Sequence, residues 1–281
     1  MSKATGAVFG PSRSASARRG VDPFFWLSVA AGAMIMAYIL LPLGQMLFAP
    51  TLESMVQAAS DADVRNAVGL SLAAAGIAAL ISLIFGTPLA YLLARREFPG
   101  RKIVESLIDL PIMIPHPVVG IAILGLTGRN HWLGRTMQEL GIRIMGTVTG
   151  IVVVLVFVGL PFYVNAAKAG FQAVPVRLEK AARTLGCSSG LAFLRVTLPL
   201  AWRSIVTGVI MCMARAISEF GAVIIVAYHP MVAPVMIYER FTAYGLKYSQ
   251  PVAVWLICVS LALFLLLRLV SRGEEGALDR T

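Results

Sequence analysis

The sequence predicts an all-α membrane protein with six transmembrane helices. Three observations carry this. Of 281 residues, 58% are hydrophobic and only 14% charged, where a soluble domain has about 45–50% apolar and about 25% charged residues. Six stretches each supply the roughly 20 apolar residues that a helix needs to cross a hydrocarbon core of about 30 Å. The charges fall between those stretches and not on one basic face, so the net charge of +10 points to a membrane protein and away from nucleic acid. No stretch is polar enough for a separate soluble domain.

Residues 1–20 are rich in Ser, Ala and Arg without periodicity and read as a disordered N-terminus. The first span is expected at about 25–48. A basic start before an apolar run is also the pattern of a signal peptide. This run is too long, however, and no A-x-A-like site follows it, so it reads as an uncleaved span that, with its outer loop, fills 21–65. The remaining spans are expected at about 69–94, 103–126, 148–170, 203–227 and 251–269, within a body of 66–270 followed by a tail of 271–281.

Two of these spans carry further signals. Pro111, Pro115 and Pro117 interrupt the third. Ile114 and His116 each precede a proline, which disfavours the right-handed helical region, so the backbone there is expected to be kinked or unwound. At membrane depth such backbone is tolerated when buried in protein or lining a cavity. His116 is thus either a path or gate residue or a hydrogen-bonded packing residue. In the second span Gly69, Ala73, Gly76 and Ala79 recur at threes and fours, and further on Gly146 and Gly150 frame a GxxxG. Both patterns suit close helix approach.

Orientation follows from Lys and Arg placement. With the N-terminus inside, the inner segments hold seventeen of the 24 Lys and Arg, among them Lys3, Arg19, Arg95, Lys102, Arg177, Lys180 and Arg272. The outer segments hold six: Arg65, Arg129, Arg135, Arg143, Arg240 and Lys247. Both termini are therefore expected in the cytoplasm. Cys187, Cys212 and Cys258 form no CxxC and the three histidines no HExxH, so neither a disulfide framework nor a metal site is read.

Between the fourth and fifth spans lies a polar cytoplasmic loop, 171–202, containing "EKAARTLGCSSGLAFLRVTLP" from Glu179 to Pro199. Pro175 near the start, apolar Leu178, Ala181, Ala182 and Leu185, and a closing Gly186 describe a short amphipathic helix. Gly186 suits a left-handed C-terminal position. Ser188 or Ser189 would cap a second short helix, which Pro199 would end. Eleven residues from Val176 to Gly186 make a rod of roughly 16 Å. Such a rod either lies on the lipid headgroups or presents one side to a partner.

This segment resembles the EAA motif of ABC importer permeases: Glu-Ala-Ala, three residues, Gly, nine residues, Ile, any residue, Leu-Pro. Ala181, Ala182, Gly186, Leu198 and Pro199 match it. Lys180 stands where the motif has Glu, with Glu179 just before it, and Val196 stands for Ile. The resemblance covers residues 66–270 and implies the type I ABC importer permease fold. It implies that Glu179, Lys180, Ala181, Ala182, Gly186, Leu198 and Pro199 couple the chain to an ATP-binding subunit. Small residues at Ala181, Ala182 and Gly186 would allow close packing. Lys180 in place of Glu leaves no acidic contact to carry over at that position. The chain has no G-x-x-x-x-G-K-[ST], so it cannot cradle nucleotide phosphates in the P-loop manner. ATP and Mg would be used by a separate ATPase, and the chain itself is expected to bind no cofactor.

Arg215 and Glu219, in "MARAISEFGAV", are four apart in the fifth span. Charges within a span usually face a partner or a watery path. Arg before Glu is the weaker order at this spacing, so a partner on another helix is plausible. The pair either orients the fifth span as a buried ion pair or lines the permeation path with Ser218 and His116. In the second case Arg215 attracts an anion and Glu219 opposes unwanted binding. "ISEFGAV" followed by "AYHP", "AP" and "IYERF", together with "DLPIMIPHPVVGIAIL" from Asp109, resembles the molybdate/tungstate branch of these permeases. Sulfate permeases share a looser pattern. The resemblance implies a homodimer in the cell membrane, two ATPase subunits on the cytoplasmic side and an extracytoplasmic oxyanion-binding protein that docks on the outer loops. The dimer would move oxyanion by alternating access, surrounded by membrane lipid. A sulfate or thiosulfate permease is the nearer rival. A membrane-embedded enzyme using His116 or Glu219 is remote, because no metal-ligand cluster or nucleophile–base pair stands at a telling spacing.

Overall fold

The computed structural model describes residues 23–128 and 130–272, and its elements are helices and their connections. The N-terminus expected to be disordered, 1–20, lies outside the described residues, as does the expected tail beyond Arg272. The chain divides into two units at Phe48 and Ala49. The first unit contains α1 (Pro23–Phe48), apolar on every face.

The second unit opens with α2 (Leu52–Ser60), capped by the Thr51 hydroxyl. Asp61 then caps α3 (Ala62–Arg95) by accepting the Asp63 N–H at 2.8 Å. At 34 residues, α3 is about 50 Å long. Arg240 holds Asp61 at 2.6 Å, and that hydrogen bond keeps the Asp61 carboxyl below its ordinary value against the opposing effect of burial.

The expected third span is two helices, α4 (Arg101–Met113) and α5 (His116–Thr127), bent by 112°. The break falls at Pro115: Ile114 is extended, the conformation favoured before proline, and Pro115 precedes the next helix, whereas His116, expected to leave the helical region before Pro117, is the first residue of α5. After α6 (Trp132–Glu139), α7 (Val148–Ala173) packs between α3 and α10 (Leu198–Ile217). The short α8 (Val176–Thr184) and α9 (Ser189–Ala192) join α7 to α10, and α11 (Val223–Val226), α12 (Ala233–Tyr244) and α13 (Leu246–Arg272) follow.

Among the described residues five helices are long and apolar enough to cross a membrane, and six crossings result if the bent pair counts as one. Contacts within the second unit support that count. Arg95 bonds the Val174 carbonyl at 3.0 Å, so α3 and α7 end together and run parallel. Gly170 faces Ser204 and Gly159 faces Cys212, so α10 runs against them. The chain must therefore return between Arg101 and Val148, and α4 with α5 is that return.

The small-residue patterns are corrected in part, since Ala79 alone of the first four is buried. Gly69 and Gly76 have nothing within 4 Å of where a Cβ would stand, and Ala73 is exposed. The packed face of α3 is Ala74, Ala75, Ala78 and Ala79. Gly146 lies in a turn before α7, with φ +68°, and its N–H bonds the Val226 carbonyl at 2.9 Å. Gly146 and Gly150 thus shape the entry to α7 and do not form a helix-packing pair. The close helix approach comes instead at Gly170, where a Cβ would fall 2.3 Å from that of Ser204.

Candidate functional site

Two clusters collect the residues that the sequence singles out. The first is the loop between α7 and α10. Its helix α8 closes as expected: the Cys187 N–H bonds the Ala182 carbonyl, the Gly186 N–H bonds that of Arg183, and Gly186 has φ +92°. This pair of bonds is a Schellman motif. Nothing lies within 4 Å of a Cβ at Gly186, so φ and not space requires glycine. Gly186→Ala is expected to destabilise the loop by about 1–2 kcal/mol. Gly190→Ala, at an open helical position, should cost nothing measurable. Hydrogen exchange across residues 176–192 compares the two, and equal protection would contradict the expectation.

Ser188 caps α9 as expected. Pro199 does not end that helix, which is a correction. The chain runs from α9 through a π turn, Phe193–Thr197, directly into α10. The wider turn, with Leu198 N–H bonded to the Phe193 carbonyl, admits a proline that has no N–H and would clash with a carbonyl four residues back.

The motif residues divide between two faces. Lys180, Ala181 and Gly186 are exposed, Ala182 is half-buried, and Leu185 is 87% exposed. Lys180, Arg183, Thr184 and the turn from Gly186 to Ser189 line an open basic recess. Leu198 packs into the core at the start of α10, and Pro199 beside it is exposed. Glu179 turns inward, with its side chain only 12% exposed. Arg95 reaches Oε1 through Nη2 at 2.7 Å and Nε at 2.8 Å, Thr197 donates to it at 2.6 Å, and Tyr91 donates to Oε2 at 3.1 Å. Burial pushes the Glu179 carboxyl up, but hydrogen bonds from Thr197, Arg95 and Tyr91 prevail and hold it below its ordinary value. Tyr91, Arg95 and Thr197 escaped the sequence reading as partners of Glu179, because no local spacing links positions 88, 84 and 18 residues away.

The second cluster brings His116, Arg215, Ser218 and Glu219 together. The helix expected at 203–227 breaks after Ile217 and resumes at Val223. Glu219 accounts for the break: its Oε1 accepts the Ala222 N–H at 2.8 Å, the donor that a continuous helix would give to the Ser218 carbonyl. Its Oε2 lies 2.7 Å from Arg215 Nη2 and 3.4 Å from His116 Nδ1. Arg215 is thus paired with Glu219 and also reaches another helix, lying 2.9 Å from the His116 imidazole. Its Nη1 donates to Ser218 Oγ at 3.3 Å. Gly221 brings the break against His116, where a Cβ would sit 3.0 Å from that of the histidine. The side chain of Glu219 is 1% exposed, that of Arg215 18% and that of His116 42%. The buried carboxylate therefore organises the two broken crossings, while His116 and Ser218 are the polar groups that face outward.

Residues 86–274 match the family of binding-protein-dependent transport system inner membrane components. The chain is 45% identical over 249 residues to the molybdate/tungstate transport system permease protein WtpB of Thermococcus kodakarensis, covering 88% of this chain and 96% of that one. It is 41% identical to the WtpB of Methanocaldococcus jannaschii over 85% of this chain and 93% of that one. With the sulfate transport system permease protein CysT of Synechocystis it shares 30% over 91% and 94%. Among solved structures, a bacterial ABC transporter that imports the acidic polysaccharide alginate matches with a TM-score of 0.70 at 18% identity, covering 88% of this chain and 95% of that one. At that identity the likeness is one of fold. The matched family, the extent of the relatives and the membrane-length helices together make this chain a multi-pass inner-membrane permease of the binding-protein-dependent ABC importers.

Proposed function

We propose that the chain carries molybdate and tungstate across the cell membrane as the permease of an ABC importer. One observation carries this reading: identity is 41–45% to molybdate/tungstate permeases and falls to 30–31% for sulfate permeases of similar coverage. Two copies assemble around a central path, since one six-span unit leaves half a pore and closed two-fold assembly is the common solution. Both termini lie in the cytoplasm, where the positive charges concentrate.

Two ATPase subunits dock against α8 on that side and supply the ATP and Mg chemistry, while this chain binds no cofactor. The exposed face of Lys180, Ala181, Leu185 and Gly186 meets them. An extracytoplasmic binding protein delivers the oxyanion to the opposite end. The two partners favour different conformations of the dimer, and that difference in affinity drives alternating access. Arg215, Ser218 and His116 line the path. Glu219 neutralises Arg215, so a passing dianion is held weakly and released.

The test is ATP-driven uptake of labelled molybdate by vesicles holding this chain with its ATPase and binding protein. Excess tungstate is expected to abolish uptake and excess sulfate to leave it. Equal inhibition by sulfate would move the assignment to a sulfate permease.

A further inference from the structure

We propose that Arg95 and Glu179 form the joint through which α8 drives α3, and that α3 is the rod carrying the movement to the outer end. The proposal rests on the reading of α8 as the ATPase-docking helix and adds residues to it. Glu179 is the only buried residue of α8. A nine-residue helix with no apolar anchor of its own moves with whatever holds that one carboxylate.

Two elements hold it at once, α3 and the π turn. Arg95 and Tyr91 stand one turn apart at the end of α3, Thr197 comes from the π turn, and Arg95 Nη2 also takes the Val174 carbonyl at the α7–α8 junction. Arg95 itself is only 7% exposed, so the joint is sheltered from water and screened little by salt. Its geometry is directional: a guanidinium offers its donors in a rigid planar fork, which lysine lacks.

The far end of α3 is fastened as well. Asp61 meets Arg240 at 2.6 Å, and Ser71 Oγ accepts the Ala233 N–H at 2.8 Å, both tying α3 to α12. One unbroken helix thus links the site where an ATPase would push to the segment between α11 and α13 at the opposite end. Coupling of this kind is carried by rigid elements with tight joints. Arg95 and Glu179 are positioning residues here, and neither touches substrate.

The test uses the complete complex in proteoliposomes and reads two quantities, oxyanion imported per ATP hydrolysed and stimulation of hydrolysis by loaded binding protein. The wild-type complex is the control. If the ATPase does not assemble with this chain, the ATPase-docking reading fails and the joint is refuted with it. If the complex forms, Arg95→Leu is expected to assemble, to hydrolyse ATP at the basal rate, and to lose at least tenfold in both quantities. Arg95→Lys should restore part of each. Tyr91→Phe and Thr197→Val, which remove single bonds and keep the packing, should lower the import-to-ATP ratio by smaller factors and serve if Arg95→Leu does not assemble. A ratio unchanged in every assembled variant, with uptake falling only as the amount of complex falls, would overturn the proposal.

Discussion

Glu219→Ala is expected to lower the stability of the protein by about 1–3 kcal/mol, because it takes the paired carboxylate from the half-buried Arg215. The side chains are 1% and 18% exposed and meet at 2.7 Å, and without the carboxylate the guanidinium keeps only its contacts to Ser218 and His116. The substitution also removes the acceptor of the Ala222 N–H, which holds the break between α10 and α11. The informative partner is the double variant Arg215→Met with Glu219→Gln. It removes both charges, and the Gln amide oxygen still accepts from Ala222. A neutral replacement of a buried pair is often without net cost, so the double variant should recover to within about 1 kcal/mol of the wild type. Thermal unfolding in detergent micelles, followed by tryptophan fluorescence, completes the cycle. A double variant as unstable as the single one would mean that the pair does not organise the break. Uptake by the stable double variant separates the two roles of Arg215. Transport retained makes the residue structural, and transport lost with the fold intact places it in the path.

Gly170→Ala is the second large effect expected. Its Cβ would stand 2.3 Å from Ser204 Cβ and 2.7 Å from its Oγ, on the face where α7 meets α10. The Ser204 Cβ is fixed by the backbone, so a rotamer change that moves Oγ does not relieve the contact and the helices must part. Overpacking of this kind costs about 1–3 kcal/mol. The compensating change is specific: with Ser204→Gly the nearest remaining atom is the Ala201 carbonyl oxygen at 3.6 Å, an ordinary contact. The pair Gly170→Ala with Ser204→Gly should therefore be more stable than Gly170→Ala alone, although glycine in a helix itself costs about 0.5–1 kcal/mol. Failure of Ser204→Gly to rescue would show that α7 and α10 do not approach at these residues.

Apolar length alone placed the first, second, fourth and sixth spans to within a few residues at most ends. The exception is the outer ends of α3 and α13, which start at Ala62 and Leu246 and project as polar turns that a hydropathy reading trims off. The Schellman end of α8 was legible because Gly186 has one physical reason to stand there. The prolines of 111–117 announced a kink but not its 112°. That angle depends on α5 finding its seat against α11, where a Cβ on Gly120 would fall 2.8 Å from the Ala222 carbonyl oxygen. The reading of Pro199 as a stop failed for a local reason, since a π turn upstream gives the proline a place inside a continuing helix.

By itself the sequence determined the class of molecule, the count of crossings and the position of the polar segment, because each follows from local composition and spacing along one helix. Tertiary structure alone decided which way the motif residues face. Lys180 and Glu179 are neighbours in sequence, yet the first meets solvent and the second meets Arg95, 84 residues away. His116 and Arg215, 99 residues apart, likewise belong to one cluster only because two helices break beside each other. A buried carboxylate must find its donors wherever the fold brings them, and a chain of amino acids read in order carries no measure of that distance.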